Sequence, residues 1–339
     1  MAAKPAILFE ETTTVVEQMA WPTDWAALFG REAPLIVEIG FGGGGFLVDL
    51  AQRRPDANII GLEISRPALQ KVALKLHKRG MEHVRLVQGG GLQLLWCCLA
   101  PDSLAEIYVN FSDPWPKHVD RRLVDDRFLR LAASRLAPAG QLDIATDHAD
   151  YAEQITGCLG RASFLRSRLA APFVTSDPGR HQTKYELKGL AEGRTCHYYK
   201  YEKVASPPVA EFAIPEEYEM PHIILQTTLT LPQVKAQFSP FHQPAGPEGH
   251  IRFMQLFENV RDQSLLVETH VGEVAVTQHL GLSIRQRTPG ELILGLADFG
   301  FPRPTLGTHV AIQYLADWLM TLDPAGAIVQ SNLRSLAST

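Results

Sequence analysis

Cysteine is scarce in this chain. Its 339 residues include only four, Cys97, Cys98, Cys158 and Cys196, and none belongs to a C-x-x-C pair with a matching His or Cys cluster. A disulfide framework and a metal site are therefore not expected. The thiols are expected to be reduced, as in a cytoplasmic protein.

Long apolar runs are equally absent. No run reaches the length of about eighteen residues that indicates a transmembrane helix. Met1–Phe9 lacks the basic start and the apolar stretch of a signal peptide. We therefore expect a cytoplasmic protein with no membrane association.

An excess of positive charge is missing as well. Lys and Arg number 32 against 37 Asp and Glu, which gives a formal net charge of −5. This balance excludes a strongly basic binder of the ribosomal or histone type, although it permits a local basic patch. The deficit of positive charge is uneven, because residues 1–203 carry 25 basic and 24 acidic side chains, whereas residues 204–339 carry 7 basic and 13 acidic side chains.

The length of 339 residues favours two domains, because it is too long for one compact core.

Strands and helices are predicted to alternate over residues 1–203, the first domain. Short apolar runs are typical of buried parallel strands, and segments with helical periodicity follow them. The predicted strands are 34–40, 58–63, 83–87, 104–111 and 140–145, and the predicted helices are 46–54, 66–78 and 126–136. This alternation indicates an α/β fold with a doubly wound, mostly parallel, Rossmann-like sheet, in which ligands bind beyond the carboxyl ends of the strands.

The chain changes character after Lys203. Prolines at 207, 208 and 215 are typical of a linker, which we place at 204–216. Residues 217–339 are predicted to form a smaller, accessory α+β domain of unknown role, with strands at 223–231, 265–276, 280–287 and 291–297, a Pro/Gly-rich loop at 238–249 and an amphipathic helix at 307–322. Its six histidines lack the tight spacing of metal ligands.

A glycine loop, Gly40-Phe-Gly42-Gly-Gly-Gly45, joins the first predicted strand to the first predicted helix. Glycines let the backbone approach a ligand closely, although a structural turn would look the same. Two carboxylates strengthen the functional interpretation. Glu38 precedes the glycines, and Glu63 ends the second strand, where a carboxylate can bind ribose hydroxyls; the alternative for Glu63 is a surface charge. An anion at Glu38 would repel a pyrophosphate and attract a sulfonium or ammonium group, which favours S-adenosylmethionine over a dinucleotide.

A second motif, Asp113-Pro-Trp115-Pro-Lys117, follows the fourth predicted strand. Its prolines stiffen the loop and place an aromatic plane beside a carboxylate. This pair suits a planar base, because Trp115 can stack on its face while Asp113 accepts from N–H donors such as those of guanine. Core packing is the alternative for Trp115.

Two basic stretches are candidates for phosphate contacts. The first comprises Lys117, His118, Arg121, Arg122, Arg127 and Arg130, and the second comprises Arg161, Arg166, Arg168, Arg180, Lys184, Lys188 and Arg194. Ordinary solvated surfaces are the alternative for both.

The chain from about Leu35 to Lys203 resembles the bacterial tRNA (guanine-N7-)-methyltransferase family. The matching strings are Glu38-Ile-Gly-Phe-Gly42, Gly61-Leu-Glu63-Ile, Phe111-Ser-Asp-Pro-Trp-Pro-Lys117, Arg121-Arg-Leu-Val124, Thr146-Asp-His148 and Thr183-Lys-Tyr-Glu186. D-P-W-P and T-K-Y-E are uncommon strings, so together they are more specific than a glycine loop. The resemblance implies a class I methyltransferase fold, S-adenosylmethionine as cofactor and tRNA as partner. It also implies methyl transfer to N7 of a guanine in the variable loop, position 46 in tRNA numbering.

The resemblance further implies the roles of individual residues. Asp113 would be catalytic and would also contact the cofactor. The other cofactor-binding residues would be Glu38, Gly40, Gly42, Glu63 and Gly90, and the tRNA or its target base would be bound by Lys117, Asp147, Thr183, Lys184, Tyr185 and Glu186. Gly90 stands where the family usually has an Asp or Asn for the adenine amine, and Gln88 or Gln93 is a candidate substitute. No metal is implied.

Two other functions stay open at this stage. Gly90, the interrupted basic run after D-P-W-P and the acidic second domain also fit a non-catalytic RNA-binding or scaffold relative. A methyltransferase of another substrate is the second alternative. An NAD-dependent oxidoreductase is set aside, because a carboxylate at Glu38 opposes a pyrophosphate and no catalytic His/Lys/Tyr set is evident.

Overall fold

The computed structural model describes residues 13–246 and 248–335. Met1–Phe9, where no signal peptide was expected, lies outside the described residues. The chain divides into two compact units, Met1–Ile214 and Pro215–Thr339. This division falls within the segment 204–216 that the sequence suggested as a linker.

An eight-stranded sheet forms the centre of the first unit. Its strands are β1 Thr13–Val15, β2 Leu35–Ile39, β3 Asn58–Glu63, β4 Val84–Gln88, β5 Leu104–Asn110, β6 Leu136–Thr146, β7 Leu165–Ser167 and β8 His197–Lys203. The order is β1-β4-β3-β2-β5-β6-β8-β7, and every pair is parallel except the two that β8 forms with β6 and β7. The expected mostly parallel α/β fold is confirmed.

Helices connect these strands. They are α1 Trp25–Phe29, α2 Gly45–Arg53, α3 Arg66–Lys78, α4 Gly91–Gln93 with a π-helical turn at Leu94–Cys98, α5 Asp126–Arg135, α6 Ala149–Arg161 and α7 Lys184–Ala191. β2 is buried along its whole length, in keeping with its nearly unbroken apolar run. On α2, Phe46, Leu47 and Leu50 are buried, as the helical spacing predicted.

The boundary between α5 and β6 differs from the prediction. The helix was expected to reach Leu136 and the strand to begin at Gly140, but the strand already begins at Leu136. Its first residues pair irregularly with β5, because the register shifts between Leu104 and Glu106. Such a bulge breaks the alternation from which a strand start is predicted.

The chain after β8 stays packed on the first unit. Phe212 is 1% exposed, and Trp96 Nε1 donates to the carbonyl of Ala213 at 2.8 Å. Arg135 is also 1% exposed and donates to the carbonyls of Leu95, Trp96 and Phe212 at 2.8, 3.0 and 2.7 Å. Burial lowers the pKa of Arg135 to about 10. This guanidinium therefore holds the end of the unit in place.

A seven-stranded antiparallel sheet forms the second unit. Its strands are β9 His222–Gln226, β10 Phe241–Pro244, β11 His250–Asn259, β12 Ser264–Gly272, β13 Thr277–Thr288, β14 Glu291–Leu296 and β15 Ala327–Ser331, in the order β10-β11-β12-β13-β14-β9-β15. Two helices, α8 Leu231–Gln237 and α9 Leu306–Leu322, accompany the sheet. Ile312, Leu315 and Leu319 of α9 lie in the same buried cluster as the inward side chains of the strands.

Some predictions for this unit were wrong in detail. The strand expected at 223–231 ends at Gln226, because Thr230 and Gln233 form a capping box that starts α8, with Pro232 in its first turn. The loop expected at 238–249 contains β10, and β11 was not expected. In β11 only Ile251 and Phe253 are buried, so its sequence carries little apolar signal.

Candidate active site

The candidate site lies beyond the carboxyl ends of β2 and β5. The strand order reverses there, since β3 and β4 lie on one side of β2 while β5 and β6 lie on the other. In open α/β sheets, ligands bind in the crevice at this switch point. Glu38 lies near the end of β2, Glu63 ends β3, Asn110 ends β5, and Asp113 follows in the next loop.

Glu38 is a buried carboxylate with one unused oxygen. Its residue is 1% exposed, and Asn110 Nδ2 donates to Oε1 at 2.9 Å. Oε2 is buried without a hydrogen-bond partner among the described residues. Burial raises the pKa of Glu38 to about 7; the charge of Glu63 adds to the rise, and the Asn110 hydrogen bond and the Arg180 charge oppose it. A buried acceptor without a donor is costly, so this oxygen suits a cationic ligand group.

Glu63 fastens the glycine loop to the end of β3. Its Oε2 accepts from the backbone N–H of Gly42 at 2.9 Å, and its Oε1 accepts from Ile64 and Ser65 at 2.9 and 3.0 Å. A carboxylate offers about four acceptor positions, so these three bonds leave capacity for a ligand hydroxyl. Glu63 is therefore a carboxylate paired with backbone donors of the glycine loop and of the segment before α3.

The glycine loop requires glycine at Gly44. Its φ is +68°, and a Cβ there would lie 2.4 Å from Val72 Cγ2, so any side chain would be strained and would collide with α3. Lys75 Nζ, also on α3, donates to the carbonyl of Gly43 at 2.7 Å. Helix α3 therefore packs against the glycine loop and stabilises it.

Gly90 leaves open space at the end of β4. No heavy atom lies within 4 Å of the position that a Cβ would occupy there, and its φ of −86° is accessible to other residues. Of the two candidate substitutes, Gln88 Nε2 donates to the Ile64 carbonyl at 3.4 Å. Gln93 Nε2 is buried and lacks a hydrogen-bond partner among the described residues. Gln93 is therefore the substitute with an unused donor.

The D-P-W-P loop is held in an uncommon backbone conformation. Asp113 is exposed, and its Oδ1 accepts from the N–H of Trp115 at 3.0 Å. Trp115 and Phe111 have φ values of +42° and +52°, and strained residues of this kind cluster at functional sites. The guanidinium of Arg121 lies 5.2 Å from the centre of the Trp115 ring. The loop thus presents a carboxylate beside a half-buried aromatic plane.

Arg122 braces this loop, although the sequence suggested a phosphate contact. It is 8% exposed, and it donates to the carbonyl of Pro114 at 2.7 Å and to Gln154 Oε1 at 2.8 Å. Its guanidinium also lies 5.2 Å from the Tyr151 ring centre. The side chain is therefore committed to interactions within the protein, whereas Lys117 in the same stretch is exposed.

Asp147 contacts helix α7 from the loop after β6. Its Oδ2 lies 3.1 Å from Arg194 Nη1, and a Cβ on Gly189 would approach the same oxygen to 2.4 Å. Glycine at 189 therefore permits the close contact. The loop after β6 and the T-K-Y-E helix are packed together at this point.

The T-K-Y-E string forms the first turn of α7. Thr183 caps the helix and forms a capping box with Glu186, whose carboxylate is only 3% exposed. Lys184 is exposed, and Tyr185 is 60% exposed. A Cβ on Gly42 would lie 3.7 Å from Tyr185 Cε2, so this ring borders the glycine loop.

Sequence reasoning missed two members of this arrangement. Asn110, which hydrogen-bonds Glu38, was not predicted as a site residue. Arg180 was placed among candidate phosphate contacts, but its side chain is 10% exposed and pairs with Glu186 at 2.9 Å. A polar residue at the carboxyl end of a buried strand is the signal that could have revealed Asn110.

Neither a metal cluster nor a membrane span is found within the ranges described. No group of three or more His, Cys, Asp or Glu residues at 13–246 and 248–335 could hold a metal ion. In the same ranges, every helix is too short or too polar to cross a bilayer.

Comparison with known proteins gives consistent matches. A family model described as a putative methyltransferase matches residues 32–199. The tRNA (guanine-N(7)-)-methyltransferase of Thermus thermophilus is 33% identical over 302 residues, which cover 88% of this chain and 93% of that protein. The proteins of the same name from Syntrophotalea carbinolica and Bordetella pertussis are 36% and 41% identical, over 55% and 51% of this chain and 82% and 68% of theirs. Among solved structures, the 16S rRNA methyltransferase KamB covers 54% of this chain and 95% of its own, at 13% identity and a TM-score of 0.42.

The fold and the match of residues 32–199 to a methyltransferase family model place the chain among class I methyltransferases, which use S-adenosylmethionine. The similarity to the Thermus protein, at 33% identity over 93% of its length, is more specific than the class and indicates one family. The chain belongs to the tRNA (guanine-N(7)-)-methyltransferase family. The 302 aligned residues outnumber the residues of the unit Met1–Ile214, so the similarity extends into the second unit.

Proposed function

We propose that this protein transfers the methyl group of S-adenosylmethionine to N7 of a guanine in the variable loop of tRNA, position 46 in tRNA numbering. One observation carries the proposal: a buried carboxylate with an unpartnered oxygen, Glu38, lies at the same sheet edge as the D-P-W-P loop and the T-K-Y-E helix. The names of the related proteins support the same activity.

The residues proposed to bind the cofactor are Glu38, Gly40, Gly42, Glu63, Gly90 and Asp113. S-adenosylmethionine supplies a methyl group that its sulfonium activates for transfer. Ionised Glu38 would bind a cationic group through Oε2, which lacks a partner among the described residues. Glu63 would accept from ribose hydroxyls with its remaining lone pairs. The open space at Gly90 would receive the adenine ring.

Asp113 is the proposed catalytic residue. Guanine N7 already carries a lone pair in the plane of the base, so methylation there requires no proton removal. Orientation is then the main task, and orientation can lower a barrier by ~7–11 kcal/mol. The Asp113 carboxylate would accept from the N–H donors of guanine and would balance the positive charge that develops on the ring. Trp115, fixed beside it by the 3.0 Å backbone hydrogen bond, would stack on the base.

The residues proposed for tRNA binding are Lys117, Asp147, Thr183, Lys184, Tyr185 and Glu186. Lys117, Lys184 and Tyr185 are exposed and can contact RNA directly. The other three form contacts within the first unit, so we propose that they set the position of α7. Exposed cations near the site would attract phosphates even though the whole chain is acidic.

A cytoplasmic location belongs to the same proposal. Its substrate, tRNA, is a cytoplasmic molecule, and Cys158 and Cys196 are buried cysteines that form no disulfide. Reduced thiols are typical of a reducing compartment.

Nucleoside analysis tests the proposed reaction. Unmodified tRNA transcripts are incubated with the full chain and S-adenosylmethionine, digested to nucleosides and analysed by mass spectrometry. We expect 7-methylguanosine with the wild type and at least a ~100-fold lower rate with Asp113→Ala, as for the loss of one essential electrostatic contact. Asp120→Ala, an exposed carboxylate in the same loop, is the matched control and should be close to wild type. Absence of 7-methylguanosine with the wild type would refute the proposal.

A further inference from the structure

Arg180 is a cation enclosed within the first unit. Its guanidinium carbon lies 4.8 Å from the ring centre of Phe46, 5.4 Å from that of Tyr198 and 5.8 Å from that of Phe111. Only 10% of its side chain is exposed. A guanidinium in this environment is unavailable to a phosphate of the RNA. Its role therefore depends on the protein groups that it contacts.

One end of the guanidinium reaches the cofactor side of the site. Its Nη2 donates to Oδ1 of Asn110, and the Nδ2 of the same amide donates to Glu38 Oε1 at 2.9 Å. Asn110 is 7% exposed, so this relay is shielded from water. In a low dielectric, consecutive hydrogen bonds polarise one another and become harder to break separately.

The other end reaches the T-K-Y-E helix. Arg180 Nη1 donates to Glu186 Oε2 at 2.9 Å, and the same carboxylate accepts from the Tyr198 hydroxyl at 2.7 Å and from the Thr183 N–H at 3.2 Å. Glu186 is 3% exposed. The first turn of α7 is therefore held through a single buried carboxylate that Arg180 neutralises.

This segment also covers the glycine loop. A Cβ on Gly45 would lie 2.8 Å from Nε2 of His181, the residue next to Arg180, and Tyr185 borders Gly42. The unbroken series Glu38, Asn110, Arg180 and Glu186 thus joins the buried carboxylate of β2 to the helix that carries Lys184 and Tyr185.

We propose that Arg180 is a positioning residue that couples the two substrates: occupancy at Glu38 is transmitted through Asn110 and Arg180 to the first turn of α7, where tRNA binds. This inference rests on the proposed function. A cationic ligand at Glu38 changes the electrostatic field at Asn110, which hydrogen-bonds Glu38. Because the planar guanidinium of Arg180 donates to both Asn110 and Glu186, it transmits this change to Glu186. Lysine cannot replace it, because a single ammonium nitrogen lacks two separate N–H groups held in one plane, one for Asn110 and one for Glu186.

The coupling is measured by binding alone. The affinity of the full chain for unmodified tRNA is determined with and without saturating S-adenosylhomocysteine, which keeps the cationic ammonium group of the cofactor but does not support turnover. For the wild type we expect tRNA affinity to rise about five-fold or more when this ligand is present, a typical size for coupled sites. In Arg180→Lys, we expect the rise to fall below about two-fold while tRNA affinity without the ligand changes less.

A second variant interrupts the relay at another link. Asn110→Ala leaves the pair of Arg180 and Glu186 intact, and it should abolish the coupling in the same way. Arg53→Lys is the matched control, because Arg53 forms an exposed pair with Asp49 at 2.8 Å and should retain wild-type coupling. Circular dichroism and thermal unfolding identify any variant that has lost its fold.

The outcomes separate the two proposals. No coupling in the wild type, or wild-type coupling in folded Arg180→Lys and Asn110→Ala, would overturn the role of Arg180 even if 7-methylguanosine is formed. Absence of 7-methylguanosine in the nucleoside assay would instead overturn the proposed reaction.

Discussion

Glu38→Gln should change how the stability of the first unit depends on pH. Burial raises the folded-state pKa of Glu38 from 4.5 to about 7. Between these values the folded state holds a proton that the unfolded state has released, so the free energy of unfolding falls as pH rises through this window. Because glutamine does not titrate, the free energy of unfolding of the variant does not fall in this way as pH rises.

The size of the effect follows from the same interval. Each pKa unit corresponds to about 1.4 kcal/mol. The wild type should therefore lose roughly 3 kcal/mol relative to Glu38→Gln between pH 4.5 and about 8. A constant difference between the two proteins, such as the cost of burying the new amide, does not affect this comparison of slopes.

Urea unfolding at several pH values measures the difference. Tryptophan fluorescence reports mainly on the first unit, because Trp21, Trp25, Trp96 and Trp115 lie there and only Trp318 lies in the second. Glu63→Gln is a useful comparison, since it removes a carboxylate whose oxygens already accept backbone hydrogen bonds. A difference in the free energy of unfolding between wild type and Glu38→Gln that is constant from about pH 5 to about pH 8 would show that the pKa of Glu38 is not raised in the folded state.

Two further predictions concern affinity and packing. Gly90→Asn should tighten S-adenosylhomocysteine binding about five-fold, since its Cβ position is open and one added hydrogen bond is worth about 1 kcal/mol; weaker binding in a calorimetric titration would contradict this. Arg135→Met should lower the free energy of unfolding by about 3 kcal/mol, because three carbonyls lose their buried donor. Arg130→Met, which removes a pair with partly exposed Glu211, should cost less than about 1 kcal/mol in the same urea assay, and equal losses would contradict the argument.

Local pattern was sufficient to predict the mostly parallel α/β character of the first unit, and it also indicated the sheet edge at which we propose the site. The buried run at 35–39 and the glycines after it specify a strand, a loop and a helix within one short segment. Because the carboxyl ends of parallel strands meet at one edge of a sheet, Glu38, Glu63 and Asp113 could be expected near one another from the sequence alone.

Contacts between distant parts of the chain could not be predicted in this way. Arg180 lies 70 residues from Asn110, and nothing in the sequence near it distinguishes a buried cation from a solvated one. The same limit applies to Arg122, which braces Pro114 and Gln154 instead of facing solvent. In the second unit, β11 was not predicted, because most of its side chains are not buried and its sequence shows little apolar alternation.

The proposed reaction has N7 of one guanine in the variable loop as its methyl acceptor. Borohydride reduction followed by aniline treatment cleaves RNA at 7-methylguanosine, so it locates the methyl group on a tRNA transcript after incubation with the full chain and S-adenosylmethionine. We predict a single cleavage at the variable-loop guanine, which disappears when that guanine is replaced by adenine. Cleavage at another position, or no cleavage, would contradict the proposed methylation of the variable-loop guanine.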